Sequence, residues 1–174
     1  MKQLVLPQTT DKHEVFDVIA RYLDELGMKV ASTDFDRPWG GFFVIDNEST
    51  EAFIKEFFPS YSYEQIANGL TLTPKILVAA PKQRLSWQYH YRREEIWSVV
   101  AGPVGVVTSE TDEQGSVREI TEGEIVSFGT EVRHRLIGLE QFGVVAEFWK
   151  HTDPANPSDE SDIVRVQDDY SRAA

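Results

Sequence analysis

The chain has 174 residues, 41% hydrophobic and 26% charged, with a net charge of −12. That is enough for one ordinary globular core; no apolar run is long enough to span a bilayer, and the negative charge opposes binding to nucleic acid. There is no cysteine, so disulfides, thiolate nucleophiles and thiolate metal sites are excluded, and any bound metal takes nitrogen and oxygen ligands.

The opening MKQLVLPQTTDKHE contains an apolar run of only three residues, too short for the hydrophobic segment of a secretory signal, and the expected compartment is the cytoplasm. Asp11 and Glu14 form a capping-box-like pattern, after which Val15, Phe16, Ile19, Tyr22, Leu23 and Leu26 recur at helical spacing before Gly27, predicting a helix over 12–26. A shorter helix is expected where Ser49 or Thr50 can cap Ala52, Phe53, Ile54, Phe57 and Phe58, with Pro59 as its stop. SYEQIANG adds a further helical turn or two. From Leu70 the pattern changes to short strand-like runs: LTLTPKILVAA, RLSWQYHY, EIWSVVAG, VGVVTSE, SVREI, EIVSFG, HRLIGL and FGVVAEFW. Many short strands predict a sandwich or barrel, with hairpin loops at TDEQG and TEGE. KHTDPANPSDESD is polar and broken by prolines, which predicts an exposed connection before a last apolar patch, DIVRV.

Residues two apart on a strand share a face, so Gln88 and His90 can point together into a barrel while Tyr89 and Tyr91 face away. A lone histidine is most often a packed or surface side chain. His134, however, stands in a similar strand context, so two of the four histidines pair in this way. A glutamate between them would complete an imidazole, amide and carboxylate set able to hold a divalent ion. Alternation from His90 favours Glu94, whereas a turn or bulge over 91–93 would favour Glu95. Spacing alone leaves both open.

The run RLSWQYHYRREEIWSVVAG resembles the first cupin motif, where a glycine follows the glutamate by seven residues; Glu95 and Gly102 have that spacing. Gly123 through His134 resembles the second motif, with Gly129 in place of the usual proline and Glu131 in place of the usual glycine. Within the cupins the chain most resembles the C-terminal domain of bifunctional mannose-6-phosphate isomerase and mannose-1-phosphate guanylyltransferase proteins. RPWGGF, PKILVAAPKQRLS and DIVRVQDDYSR carry the likeness over most of the chain after Asp36. It departs from that family where the histidine run reads His90, Tyr91, Arg92 and where Ile96 replaces a histidine.

The resemblance implies a mainly β fold, a cupin-type antiparallel barrel (double-stranded β-helix, jelly roll) over 37–174, with an N-terminal helical extension over 1–36 packed outside it. It implies one divalent ion, zinc first and manganese, iron, cobalt or nickel as alternatives, held by Gln88, His90, Glu95 and His134. The implied reaction is aldose–ketose isomerisation of a phosphorylated sugar, with mannose 6-phosphate and fructose 6-phosphate as the leading pair. A homodimer is kept as a candidate assembly; neither nucleic acid nor membrane is expected as a partner. Lys75 and Arg172, which match a lysine and the final arginine of the family's motifs, are the expected catalytic residues. Lys75 leads the candidates for general base, ahead of Glu147, His151 and a metal-held hydroxide. Arg84, Lys82 and Arg37 are the expected substrate-binding cations, with Arg84 favoured over Lys82 because alternation gives it the facing of Gln88. A sugar-binding or regulatory cupin, an isomerase of a pentose or heptose phosphate, and a metal-dependent oxygenase are the rival readings.

Overall fold

The computed structural model describes residues 2–67 and 69–172, so Asn68, near the end of the third expected helical stretch, lies outside the described residues. Helix α1 (Lys12–Glu25) starts where expected: the Asp11 carboxylate accepts the His13 backbone N–H at 2.9 Å. It ends at Gly27, whose φ of +68° permits the left-handed turn that brings the Met28 N–H to the Leu23 carbonyl. Helices α2 (Thr50–Phe57) and α3 (Tyr63–Ala67) follow.

The strands are β1 (Val30–Asp34), β2 (Gly40–Ile45), β3 (Lys75–Ala79), β4 (Trp87–Tyr89), β5 (Arg93–Ala101), β6 (Val104–Ser109), β7 (Arg118–Ile120), β8 (Ile125–Phe128), β9 (Arg133–Gly138), β10 (Gly143–His151) and β11 (Val164–Gln167). They form a six-stranded sheet, β1-β2-β3-β10-β5-β8, and a five-stranded sheet, β11-β4-β9-β6-β7, with antiparallel pairing throughout. This is the expected cupin-type barrel. β1 falls inside the stretch read as helical extension and pairs with β2, so that stretch also supplies a sheet edge.

Two apolar clusters hold the layers together. The larger packs Val15, Phe16, Ile19 and Leu23 of α1, with Phe53, Ile54 and Phe57 of α2, onto Phe43, Ile76, Val78, Val144, Ala146 and Phe148 of the six-stranded sheet. Phe58 meets Phe148 edge-on, with ring centroids 4.7 Å apart. The smaller cluster fills one end of the barrel with Leu77, Val99, Val104, Val106, Leu136 and Val145. The other end is left for polar residues.

Candidate metal centre

β4 ends at Tyr89, and the chain turns over 90–92 before β5 resumes at Arg93. That interruption shifts the register, so Glu95 points into the barrel and Glu94 points out, where its carboxylate takes a hydrogen bond from Lys150 at 3.1 Å. His134 lies on β9, where β4 pairs with it through Gln88. His90, Glu95 and His134 are each 2% exposed, and one ligand atom from each lies within 4.8 Å of the others. Glu95 Oε1 is 3.0 Å from His90 Nε2, and Glu95 Oε2 is 3.1 Å from His134 Nε2.

The imidazoles are held from behind. His90 Nδ1 faces the Asp162 carbonyl at 3.3 Å and His134 Nδ1 the Val132 carbonyl at 2.9 Å. A carbonyl only accepts, so each Nδ1 carries a hydrogen in these contacts, and each Nε2 is the atom that would offer its lone pair to a bound cation. Burial pushes the His90 pKa down, with Glu95 offsetting this in part, which favours the neutral ring. Burial alone would raise the Glu95 carboxyl, but His90, Arg93 and His134 outweigh it and hold it well below the usual range. The Nε2 atoms of two imidazoles therefore converge on an ionised carboxylate. Such a set is complementary to a cation, and a divalent metal ion fits its chemistry.

Arg93 supplies the nearest charge. Its guanidinium, on a residue 1% exposed, donates to Glu95 Oε1 at 2.9 Å and to Ser158 Oγ at 2.9 Å, and lies 3.7 Å from the Trp149 ring centroid. Asp162 braces the turn before β5 by accepting the backbone N–H groups of Tyr91 and Arg92 at 3.2 and 2.9 Å. Ser158 and Asp162 belong to the proline-broken connection, which is otherwise mostly exposed. Its cluster of serines and aspartates, side chains that readily bond nearby backbone, was the available signal.

A cavity of about 410 Å³ opens beside Glu95, and its lining includes Gln88, Glu95, Arg37, Lys75 and Arg172, while His90 and His134 lie behind it, outside the lining. Gln88 Oε1 accepts the Ser86 hydroxyl at 2.6 Å. Lys75 bonds Glu160 at 2.7 Å, Arg37 bonds Asp34 at 2.8 Å, and Arg172 pairs with Asp168. Arg84 and Lys82 are not brought to this cavity. Arg84 is tied to Asp169 at 2.5 Å, and Lys82, largely exposed, to Glu140 at 3.1 Å. Alternation fails here because β4 begins only at Trp87; the preceding residues run as turn and isolated bridge, and the consecutive Leu85 and Ser86 both line the cavity. Glu147 and Arg165 also line it.

The Mannose-6-phosphate isomerase C-terminal family model matches residues 46–168, and the chain belongs to that family. A mannose-1-phosphate guanylyltransferase from Salmonella montevideo is 32% identical over 114 residues, 66% of this chain and 22% of that protein's length. The capsular polysaccharide assembling protein CapF from Staphylococcus aureus superposes with a TM-score of 0.50 at 14% identity, covering 92% of this chain and 42% of CapF. A second CapF structure, with the inhibitor 3-isopropenyl-tropolone, gives 0.53 at 16% identity, covering 92% and 41%. These likenesses concern the fold. No helix among the described residues is long and apolar enough to cross a membrane.

Proposed function

We propose that this member of the mannose-6-phosphate isomerase C-terminal family is a metal-dependent aldose–ketose isomerase of a phosphorylated sugar, with mannose 6-phosphate and fructose 6-phosphate as the leading pair and the cytoplasm as its compartment. The observation that carries this reading is the cluster of cations in the cavity. In a chain of net charge −12, five cations (Arg37, Lys75, Arg93, Arg165 and Arg172) line it against three carboxylates, Glu95, Glu147 and Glu160. One of those carboxylates, Glu147, has its pKa pushed up to about 8, first by burial and then by the Glu95 charge, which favours its neutral form at pH 7. Arg37 and Arg172 are paired with Asp34 and Asp168, which do not line the cavity, so what it offers an anionic ligand is a cluster of cationic donors rather than a large net charge.

His90, Glu95 and His134 would hold the ion, zinc first, with Gln88 as the fourth ligand. When bound, the ion supplies Lewis-acid stabilisation of negative charge developing on the sugar oxygens. Arg93 keeps Glu95 oriented, and the Asp162 and Val132 carbonyls keep the imidazoles aimed. Arg37, Lys75, Arg165 and Arg172 would bind the phosphate, while Trp39, Phe42, Trp97 and Trp149 give the cavity an apolar wall.

The test is incubation of the purified protein with mannose 6-phosphate and with fructose 6-phosphate, before and after chelation, alongside metal analysis. Turnover that chelation abolishes and zinc restores is expected, and His134→Ala should lose both the metal and nearly all turnover. Tight binding of the sugar phosphates without turnover would instead make the chain a sugar-binding module.

A further inference from the structure

Isomerisation needs a group that carries hydrogen between two adjacent carbons. The register of the six-stranded sheet sets Lys75 of β3, Glu147 of β10 and Trp97 of β5 in one row, and Trp149 beside Glu95 in the next. Glu147 is 5% exposed and lines the same cavity as Glu95. Each of its oxygens accepts an indole N–H: Trp97 at 2.8 Å on Oε2 and Trp149 at 3.0 Å on Oε1. Two neutral donors fix the carboxyl in orientation without the strong bias toward the anion that a direct ion pair would give.

Lys75, His151 and Arg93 are engaged elsewhere. The Lys75 ammonium bonds Glu160 and lies 4.2 Å from the Trp149 ring centroid, an arrangement that suits a fixed cation. Both His151 nitrogens are taken up by backbone, Nε2 with the Thr71 carbonyl and Nδ1 by the Ser158 N–H, and His151 is outside the cavity lining. Arg93 is spent on Glu95 and Ser158.

Resting on the isomerase reading above, we propose that Glu147 is the catalytic proton carrier: its carboxylate takes hydrogen from carbon 2 of the bound sugar phosphate and returns it to carbon 1. As the C2–H bond breaks, its electron pair forms the C1=C2 bond and the carbonyl pair moves onto O1, which takes up a proton. In the second half O2 gives up its proton, the C2=O2 bond forms, and C1 receives the hydrogen from Glu147. C2 is oxidised and C1 reduced, with no outside reactant. A raised carboxyl pKa supports the assignment, because a group titrating near neutrality can serve as base and then as acid in one turnover.

The experiment compares the zinc-loaded wild type with Glu147→Gln, measuring kcat, KM, zinc content and solvent-deuterium exchange at carbon 2 by NMR. Expected is a fall in kcat and in exchange on the order of 10²–10⁴-fold, with KM changed only a few-fold and zinc retained. Exchange within threefold of wild type would overturn the assignment while leaving the isomerase reading intact. If Glu147→Gln does not fold, Glu147→Asp takes its place: a carboxyl one methylene shorter should lose at least tenfold in kcat, and wild-type rates would overturn the proposal. A zinc-loaded wild type that neither turns over nor exchanges any phosphorylated sugar removes the isomerase reading, and this assignment with it.

Discussion

The two faces of the six-stranded sheet are built from the same strands and carry opposite chemistry. On β10, Val144, Ala146 and Phe148 point toward the helices, while Val145, Glu147 and Trp149 point into the barrel. On β3, Ile76 and Val78 point out and Lys75, Leu77 and Ala79 point in. The outward positions belong to one apolar cluster. The inward positions grade from Leu77, Val145 and Val99 at one end to Lys75, Glu147 and Glu95 at the other. Both faces are buried, so polar residues on these strands do not mark solvent, as they would on a half-exposed sheet. A charged residue at an inward position marks the site.

The largest expected effect tests the inward face. Glu147 is protonated in the native state up to about pH 8, whereas in the unfolded chain it ionises near its ordinary value of 4.5. Between those values the native state binds the extra proton, so its stabilising contribution is full below pH 4.5 and is lost as pH rises through about 8. The total is on the order of 5 kcal/mol, at about 1.36 kcal/mol per pH unit. Denaturant unfolding of chelated protein from pH 5 to 8.5 should show wild type losing stability relative to Glu147→Gln across this window. The lowered His90 pKa acts in the opposite sense below pH 6.5, but is common to both proteins and cancels in the difference. Parallel stability curves would mean that this carboxyl is ionised in the fold, and the inward face would then hold a paired anion.

The outward face has its own test. Phe148, 0% exposed, is clamped edge-on by Phe58 and Tyr61, so Phe148→Ala should cost about 3–5 kcal/mol of folding stability. Its zinc affinity, measured on the folded variant by competition with a chromogenic chelator, should stay within threefold of wild type, because the ligands lie across the sheet. A tenfold loss of zinc affinity with folding intact would show that the two faces are coupled.

Sequence periodicity made one face easier to read than the other. α1 was legible from its apolar spacing, eight of the strands followed from the short apolar runs after Leu70, and β11 falls on the DIVRV patch. β1 was missed because its middle residues, Ala31, Ser32 and Thr33, are exposed at the sheet edge and carry no alternating apolar signal. Glu95 could be chosen over Glu94 only through the family spacing, since the register shift at 90–92 is a backbone event that residue types do not announce. Arg93 was visible only as one of several nearby cations. Its burial depends on Ser158, Asp159 and Trp149, which lie more than fifty residues away in the chain. Arg84 shows the converse failure, in which alternation was extended into a stretch that is not a strand.

The smallest expected effect concerns the turn that delivers His134. Glu131 stands where the second cupin motif usually has glycine, and it keeps the left-handed backbone that glycine would provide, with φ at +63°. The turn is held in place by the Glu131 N–H, which donates to the His90 carbonyl at 2.7 Å and so ties the two halves of the site together through backbone alone. A left-handed conformation costs a residue with a Cβ about 1–2 kcal/mol, and glycine gives back roughly 0.5–1 kcal/mol of that in unfolded-state entropy. Glu131→Gly should therefore stabilise by up to about 1 kcal/mol, raising the melting temperature by roughly 2–4 °C in a chain of this size. The Glu131 side chain is exposed and the tie to His90 is a backbone bond, so zinc affinity and turnover should be unchanged. A drop in melting temperature, or a change in zinc affinity, would mean that the Glu131 side chain supports the centre as well as the turn.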